Sequence, residues 1–201
     1  LQAYGAAAVH PRLWGLFCPL YALGSEKNWG AGNFSDLETL IDFTGQMGGD
    51  FVGTLPLLST FLDEPFNPSP YAPVSRLFWN EFYLDVTRIP ELQRSRMARL
   101  MLHSSGFQTD LKSLRAAPLI EYRPLMALKR KILEELLHTL TNRSTTRRAA
   151  FEHFIETHPR AQDSAAFRDK VEREPAPWDL WAAVHRDDRL AAGDYDERVT
   201  Q

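Results

Sequence analysis

The sequence predicts an α/β chain in which opening β/α units are followed by a mainly helical region. Two apolar runs, residues 13–23 and 50–58, flank an amphipathic segment that carries helix start and stop signals. After Pro90 the segments have helical spacing or helix-forming composition, and no strand pattern follows them. A composition of 44% hydrophobic and 24% charged residues is ordinary for a globular chain of 201 residues, long enough for a sizeable core.

Residues 13–23 are apolar and aromatic with Pro19 among them, as expected of a short strand buried on both faces. Residues 24–33 form its polar loop. At Ser35-Asp36-Leu37-Glu38 the serine is placed to accept from the Glu38 N–H while the glutamate reaches back to the serine, a capping box that opens a helix. Leu37, Leu40, Ile41, Thr44 and Met47 then share one helical face, and Gly48-Gly49 supplies a residue able to turn left-handed at its end. Residues 50–58 read as a second buried strand. Strand, loop, helix and strand in this order make a βαβ unit, hence two parallel strands and a right-handed crossover. A third extended stretch, residues 82–86, is shorter and alternates weakly.

Helices are expected over residues 92–102, 124–140, 145–156, 161–174 and 178–190. Residues 124–140 are the clearest: proline suits the first helical position, and Leu125, Leu128, Ile132, Leu133, Leu136, Leu137 and Leu140 form a stripe. The chain thus divides into residues 1–90, the β/α front, and 91–201, a helical subdomain or insertion. Two or three parallel strands cannot close a barrel, and an open sheet of that size leaves faces and edges uncovered. Either the helical region covers them, or the chain is the opening part of a larger barrel interrupted by a helical insertion.

A formal charge of -3 does not point to a nucleic-acid or membrane partner, which calls for a concentrated basic face. Arginines cluster at Arg94, Arg96 and Arg99 and again at Arg143, Arg147 and Arg148, where solvated helix faces explain them. The single cysteine, Cys18, suits a reducing compartment, and with no signal peptide or membrane-length run the expected location is the cytoplasm. The first residue is Leu rather than Met and the last eight are a charged tail, so both ends read as cut from a longer chain.

Trp29-Gly30-Ala31-Gly32-Asn33-Phe34 places two glycines just before a capped helix, as in an anion-binding turn, but lacks the third glycine of a dinucleotide fingerprint. It reads as a loop needing left-handed backbone angles, with ligand contact by Trp29 as the sharper alternative. Ser69-Pro70-Tyr71, with Pro73, Ser75, Asn80 and Asp85, is a proline-stiffened loop that holds a tyrosine and hydroxyls in place. Such a set suits a sugar: an aromatic face packs on the pyranose while hydroxyl and amide groups meet its OH groups. The histidines are scattered without metal-ligand spacing, so no metal or cofactor is expected. Asp63, Glu64 and Asp85 are the acids near candidate strand ends, and each reads as a loop or capping residue.

Residues 21–34, Asp50-Phe51-Val52-Gly53, Ser69-Pro70-Tyr71 and residues 80–85, in that order, resemble the amylomaltases, the bacterial 4-alpha-glucanotransferases of glycoside hydrolase family 77. The similarity covers residues 13–85 and continues weakly through residues 121–130. The resemblance implies a (β/α)8 TIM barrel with helical insertions, of which this chain holds the first strands, and an active site at the carboxyl ends of the strands. It implies transfer of α-1,4-glucan segments between maltooligosaccharides by a retaining double displacement, with no cofactor. Ser69 and Tyr71 inherit a glucan-contact role beside Trp29 and Asn80, and the catalytic acids are expected beyond Gln201, so none is assigned here. Ala31, Asn33 and Glu81 depart from the isoleucine, aspartate and proline common in the family. A non-catalytic glucan-binding or interaction module is the alternative.

Overall fold

The computed structural model describes residues 13–62, 66–142 and 145–173. Strand β1, Gly15–Phe17, runs parallel to β2, Phe51–Gly53, with Gly15 opposite Phe51 and Phe17 opposite Gly53. Helix α1, Phe34–Gln46, joins them, so the expected βαβ unit is present. Its strands are much shorter than the apolar runs that announced them. Pairing ends where Cys18 N donates to Gly53 O at 3.0 Å, because Pro19 has no N–H to offer. The chain then turns through a 3-10 segment, Leu20–Ala22, and Leu20 N donates to the Thr54 hydroxyl at 3.1 Å instead of to a ladder carbonyl.

The cap of α1 lies two residues upstream of the expected Ser35–Glu38 box. Asn33 Oδ1 accepts from Ser35 N and Asp36 N at 2.8 and 3.2 Å, and Asp36 Oδ2 accepts from Asn33 N at 2.8 Å. Asparagine is a strong capping residue, so this departure from the family pattern keeps the function an aspartate would have. Ser35 and Glu38 turn outward to other partners: Ser35 Oγ donates to Asp85 Oδ2 at 2.7 Å, and Glu38 pairs with Arg88. Gly48, at φ +78°, ends the helix as expected. Of the predicted apolar face, Thr44 is buried and Leu37 and Leu40 are half-buried, whereas Ile41 and Met47 are exposed.

Residues 82–86 are not a strand. They belong to successive 3-10 turns, Glu81–Tyr83 and Val86–Arg88, whose first N–H groups are drawn to side chains: Phe82 N donates to Asn80 Oδ1 and Thr87 N to Asp85 Oδ1, both at 3.0 Å. A third 3-10 turn, Pro90–Gln93, leads into α2, Arg96–Leu102. There follow α3, Ser105–Ala116, α4, Tyr122–Thr141, α5, Thr146–Thr157, and α6, Pro159–Arg173. The α4 stripe is confirmed, with Leu125, Leu128, Ile132 and Leu136 buried and Leu133, Leu137 and Leu140 half-buried. Pro124 falls at its third residue, still within the first turn where no helical N–H bond is lost. Helix α3 was not anticipated, although Ser104 caps it and Phe107, Leu111 and Leu114 form its buried face. The helix expected at 178–190 lies outside the described residues.

One apolar cluster runs from Leu20 and Trp29 through Phe82 and Val86 to Leu125, Ile132 and Leu136, so the core crosses the change of texture at residue 90. Phe82 is its largest fully buried side chain, its ring centred 5.0 Å from that of Tyr122 and tilted by 32°. Its burial contributes roughly 2–3 kcal/mol. The described sheet has two strands only, and Phe17 and Phe51 on it, with Trp14 just before β1, remain exposed.

Gly32 tests how tightly the front is closed. A Cβ there would lie 2.0 Å from Leu20 O, whereas one at Gly24 would meet nothing within 4 Å. Gly32→Ala is expected to lower stability by roughly 1–3 kcal/mol in urea titrations and Gly24→Ala to leave it nearly unchanged. Equal effects of the two would contradict this packing.

Candidate functional site

Two loops follow the carboxyl ends of the strands. The first, residues 24–33, is organised around buried Asn28, whose Nδ2 donates to Leu23 O at 2.9 Å and to Asp36 Oδ2 at 3.2 Å while its Oδ1 accepts from Gly30 N at 3.2 Å. Helix α3 holds it from outside. Arg115 Nε donates to Asn28 O at 2.7 Å, and the Trp29 ring meets Phe107 edge-on at 5.3 Å. Gly30, at φ +105°, lets the backbone pass so close to α3 that a Cβ would sit 2.7 Å from Leu114 O. The expected left-handed glycine is therefore Gly30, while Gly32 is required by close approach. The N-terminus of α1 is no anion site, since Asn33 and the Asp36 carboxylate occupy its donors.

The second loop, after β2, is fixed at its base by two short antiparallel bridges, Leu58 with Trp79 and Phe61 with Asn67. Residues 67–72 are a run of turns: Ser69 N donates to Asn67 Oδ1 at 3.1 Å, Tyr71 N to Ser69 Oγ at 3.3 Å and Ala72 N to Ser69 O at 3.1 Å. Tyr71 stands on them 73% exposed.

Behind this loop lies Asn80, 4% exposed, whose Nδ2 donates to Thr60 Oγ1 at 2.9 Å. Glu81, where the family commonly has proline, opens a 3-10 turn at a position that proline also suits, and its carboxylate pairs with Arg168 of α6 at 3.1 Å. Lys129, buried on α4, donates to the carbonyl of Phe82 and, at 2.8 Å, to that of Leu84. Burial depresses its pKa to about 8, with Asp85 and Asp36 acting in the opposite direction. Burial pushes the Asp85 carboxyl up, but the hydrogen bonds from Thr87 and Ser35 and the Lys129 charge outweigh it and hold the group below its ordinary value.

The structure therefore separates the four residues singled out from the sequence. Ser69 and Tyr71 share one rigid surface turn; Trp29, 6% exposed, and Asn80 are interior residues whose partners belong to the protein. Sequence reasoning missed Lys129, hidden as an outward charge in the helical pattern. It also missed Trp79, 67% exposed on the bridge beside Asn80, which an aromatic next to a polar capping residue signals only weakly. Asp63 and Glu64 fall outside the described residues. Buried or half-buried Asp36, Asp85, Glu91 and Asp169 each serve a structural bond, Glu91 as a bidentate partner of Arg147 and Asp169 as a partner of Arg173. Among the described residues no group of three or more His, Cys, Asp or Glu side chains is placed to hold a metal, and no helix is long and apolar enough to cross a membrane.

This arrangement, an α/β front with its loops seated on a helical array, is similar to part of a solved protein, the amylomaltase of Corynebacterium glutamicum. The two superpose with a TM-score of 0.65 at 24% identity over 94% of this chain and 25% of that one. Residues 18–200 match the family model of 4-alpha-glucanotransferase, glycoside hydrolase family 77, and the chain belongs to that family. It is similar to the 4-alpha-glucanotransferase of Haemophilus influenzae, 34% identical over 149 residues that make up 72% of this chain and 21% of that protein. The 4-alpha-glucanotransferase of Mycobacterium tuberculosis is 34% identical over 166 residues, 77% of this chain and 22% of that protein. The chain spans about a fifth of the length of these relatives.

Lys129 makes the site's support pH-dependent in a predictable direction. Below pH 8 the amine is charged in both folded and unfolded chain; between about 8 and its ordinary 10.5 the unfolded chain keeps the proton that the folded one has released. Stability measured by urea titration is thus expected to rise from pH 8 to 9.5, by up to about 1.4 kcal/mol per pH unit, and to be lost as pH falls back. Lys129→Met should abolish the rise, and a flat wild-type profile would contradict the assignment.

Proposed function

We propose that this chain is the amino-terminal portion of a 4-alpha-glucanotransferase that transfers α-1,4-glucan segments to glucan or glucose acceptors. Residues 1–90 supply the first strands of a (β/α)8 barrel, and residues 91–201 form a helical subdomain inserted after them. The observation that carries this reading is the rigid turn 67–72 with Tyr71 exposed upon it, in a chain of this family. A tyrosine fixed in this way offers an apolar face to a pyranose without loss of loop entropy on binding, and the Ser69 hydroxyl stands beside it.

Transfer with retention needs a carboxylate nucleophile and an acid/base about 5 Å apart. The buried and half-buried carboxylates named above are committed to caps and ion pairs, which supports placing both catalytic acids in the part of the relatives that this chain does not span. Trp29 and Asn80 then act behind the cleft, holding the loops that grip the glucan. No cofactor is called for by such a reaction, and the cytoplasm is its expected setting.

In the full-length protein, maltotriose is expected to yield glucose together with longer maltodextrins, and Tyr71→Ala to lower kcat/KM about tenfold with an unchanged melting temperature. The 201-residue chain by itself is expected to release no glucose. Efficient transfer by that chain would place the catalytic acids within it and contradict the proposal. Saturable binding of maltoheptaose without turnover by the full-length protein would favour the alternative of a glucan-binding module.

A further inference from the structure

A cleft of about 890 Å³ lies between α4 and α6 under the 3-10 turns that follow Asn80. Its floor is apolar, built by Met126, Leu133 and Leu137 on one side of α4. The rim differs. Trp79 stands on it, 67% exposed, yet its backbone is immobilised by the bridge to Leu58 and by the bonds Ser59 N to Phe78 O at 3.1 Å and Asn80 N to Leu57 O at 2.9 Å. One edge of the indole rests against Phe34 at 6.3 Å and an angle of 89°. The indole is thus fixed in place and exposed among the described residues.

Two ion pairs share the wall with it, Glu81 with Arg168 at 3.1 Å and Glu172 with Arg130 at 2.5 Å. Their charges balance, so the cleft favours neither an anion nor a cation. A carboxylate bound to a guanidinium through one oxygen retains acceptor sites on the other, and these suit hydroxyl donors. An apolar floor, one rigid aromatic face and balanced carboxylate acceptors together describe a site for a neutral polyhydroxylated ligand, and the volume falls in the range of small-molecule sites.

We infer that this cleft binds a maltooligosaccharide, with Trp79 as stacking face and Glu81 and Glu172 as hydroxyl acceptors. It is separate from the turn 67–72, which does not line it. The choice of an α-1,4-glucan over other polyols rests on the function proposed above.

Calorimetric titration of maltoheptaose into the full-length protein tests it. Trp79→Ala is expected to weaken binding about tenfold, Trp79→Phe to restore most of the loss, and Leu119→Ala, on an exposed residue outside the cleft, to match wild type. Unchanged binding by Trp79→Ala, or an equal loss with Leu119→Ala, would overturn the inference. If Trp79→Ala does not fold, Glu172→Gln decides, with a loss of several-fold supporting the site and wild-type binding overturning it. A self-association lost in Trp79→Ala, without any sugar binding by wild type, would also overturn it. Maltotriose disproportionation by the full-length protein separates the two proposals. Transfer with Trp79-independent binding sinks the cleft alone, whereas Trp79-dependent binding without transfer sinks the transferase reading alone.

Discussion

The seating of residues 24–33 on α3 is the constraint from which the front of the molecule takes its shape. Two parallel strands of three residues carry too few hydrogen bonds to stand alone, and their loops would ordinarily be mobile. Here Arg115 grips the Asn28 carbonyl, Trp29 packs edge-on against Phe107, and Gly30 brings the backbone against Leu114. The same loop then presents Asn33 as the cap of α1 and Asn28 as a partner of Asp36, so helix and loop are fixed by one set of bonds. A helical region that looks separate in sequence is what orders the β/α region.

A second clamp acts on the other side of the core. Lys129 reaches from α4 to two carbonyls of the segment 82–84, and Asp85, next along the chain, accepts from Ser35 at the start of α1. Burying an ammonium this way costs stability at neutral pH, but it satisfies carbonyls that the 3-10 turns leave without helical partners. At the base of the Tyr71 loop the buried Asn80 amide donates to the Thr60 hydroxyl, a side-chain bond that ties residues 60 and 80 together. The surface turn is rigid because its foundations are interior polar bonds rather than a ladder of strands.

Much of this was legible in the sequence because the signals were local. The βαβ order followed from apolar runs around a capped helix, and the α4 stripe from helical spacing. What failed to show was decided by partners distant in sequence. Ser35 lost the cap to Asn33 because Asp85, fifty residues on, took its hydroxyl. The stretch 82–86 alternates weakly like a strand, yet Asn80 takes the Phe82 N–H and Asp85 the Thr87 N–H just beyond it, which gives 3-10 turns, and no periodicity reveals that competition. Trp29 looked like a ligand contact because exposure cannot be read from residue type; only the arrival of Phe107 makes it core. Tyr71 was legible because prolines and self-bonding Asn and Ser residues build the turn locally.

Native-state hydrogen exchange of the Asn28, Gly30 and Gly32 amides, compared between wild type and Phe107→Ala, tests most directly whether the helical region orders the β/α front. Removing the ring that Trp29 packs on should speed exchange at these loop amides together with those of α3, by roughly tenfold or more. Loop amides that keep their protection while α3 loses its own would show that the front holds itself together, contrary to this account.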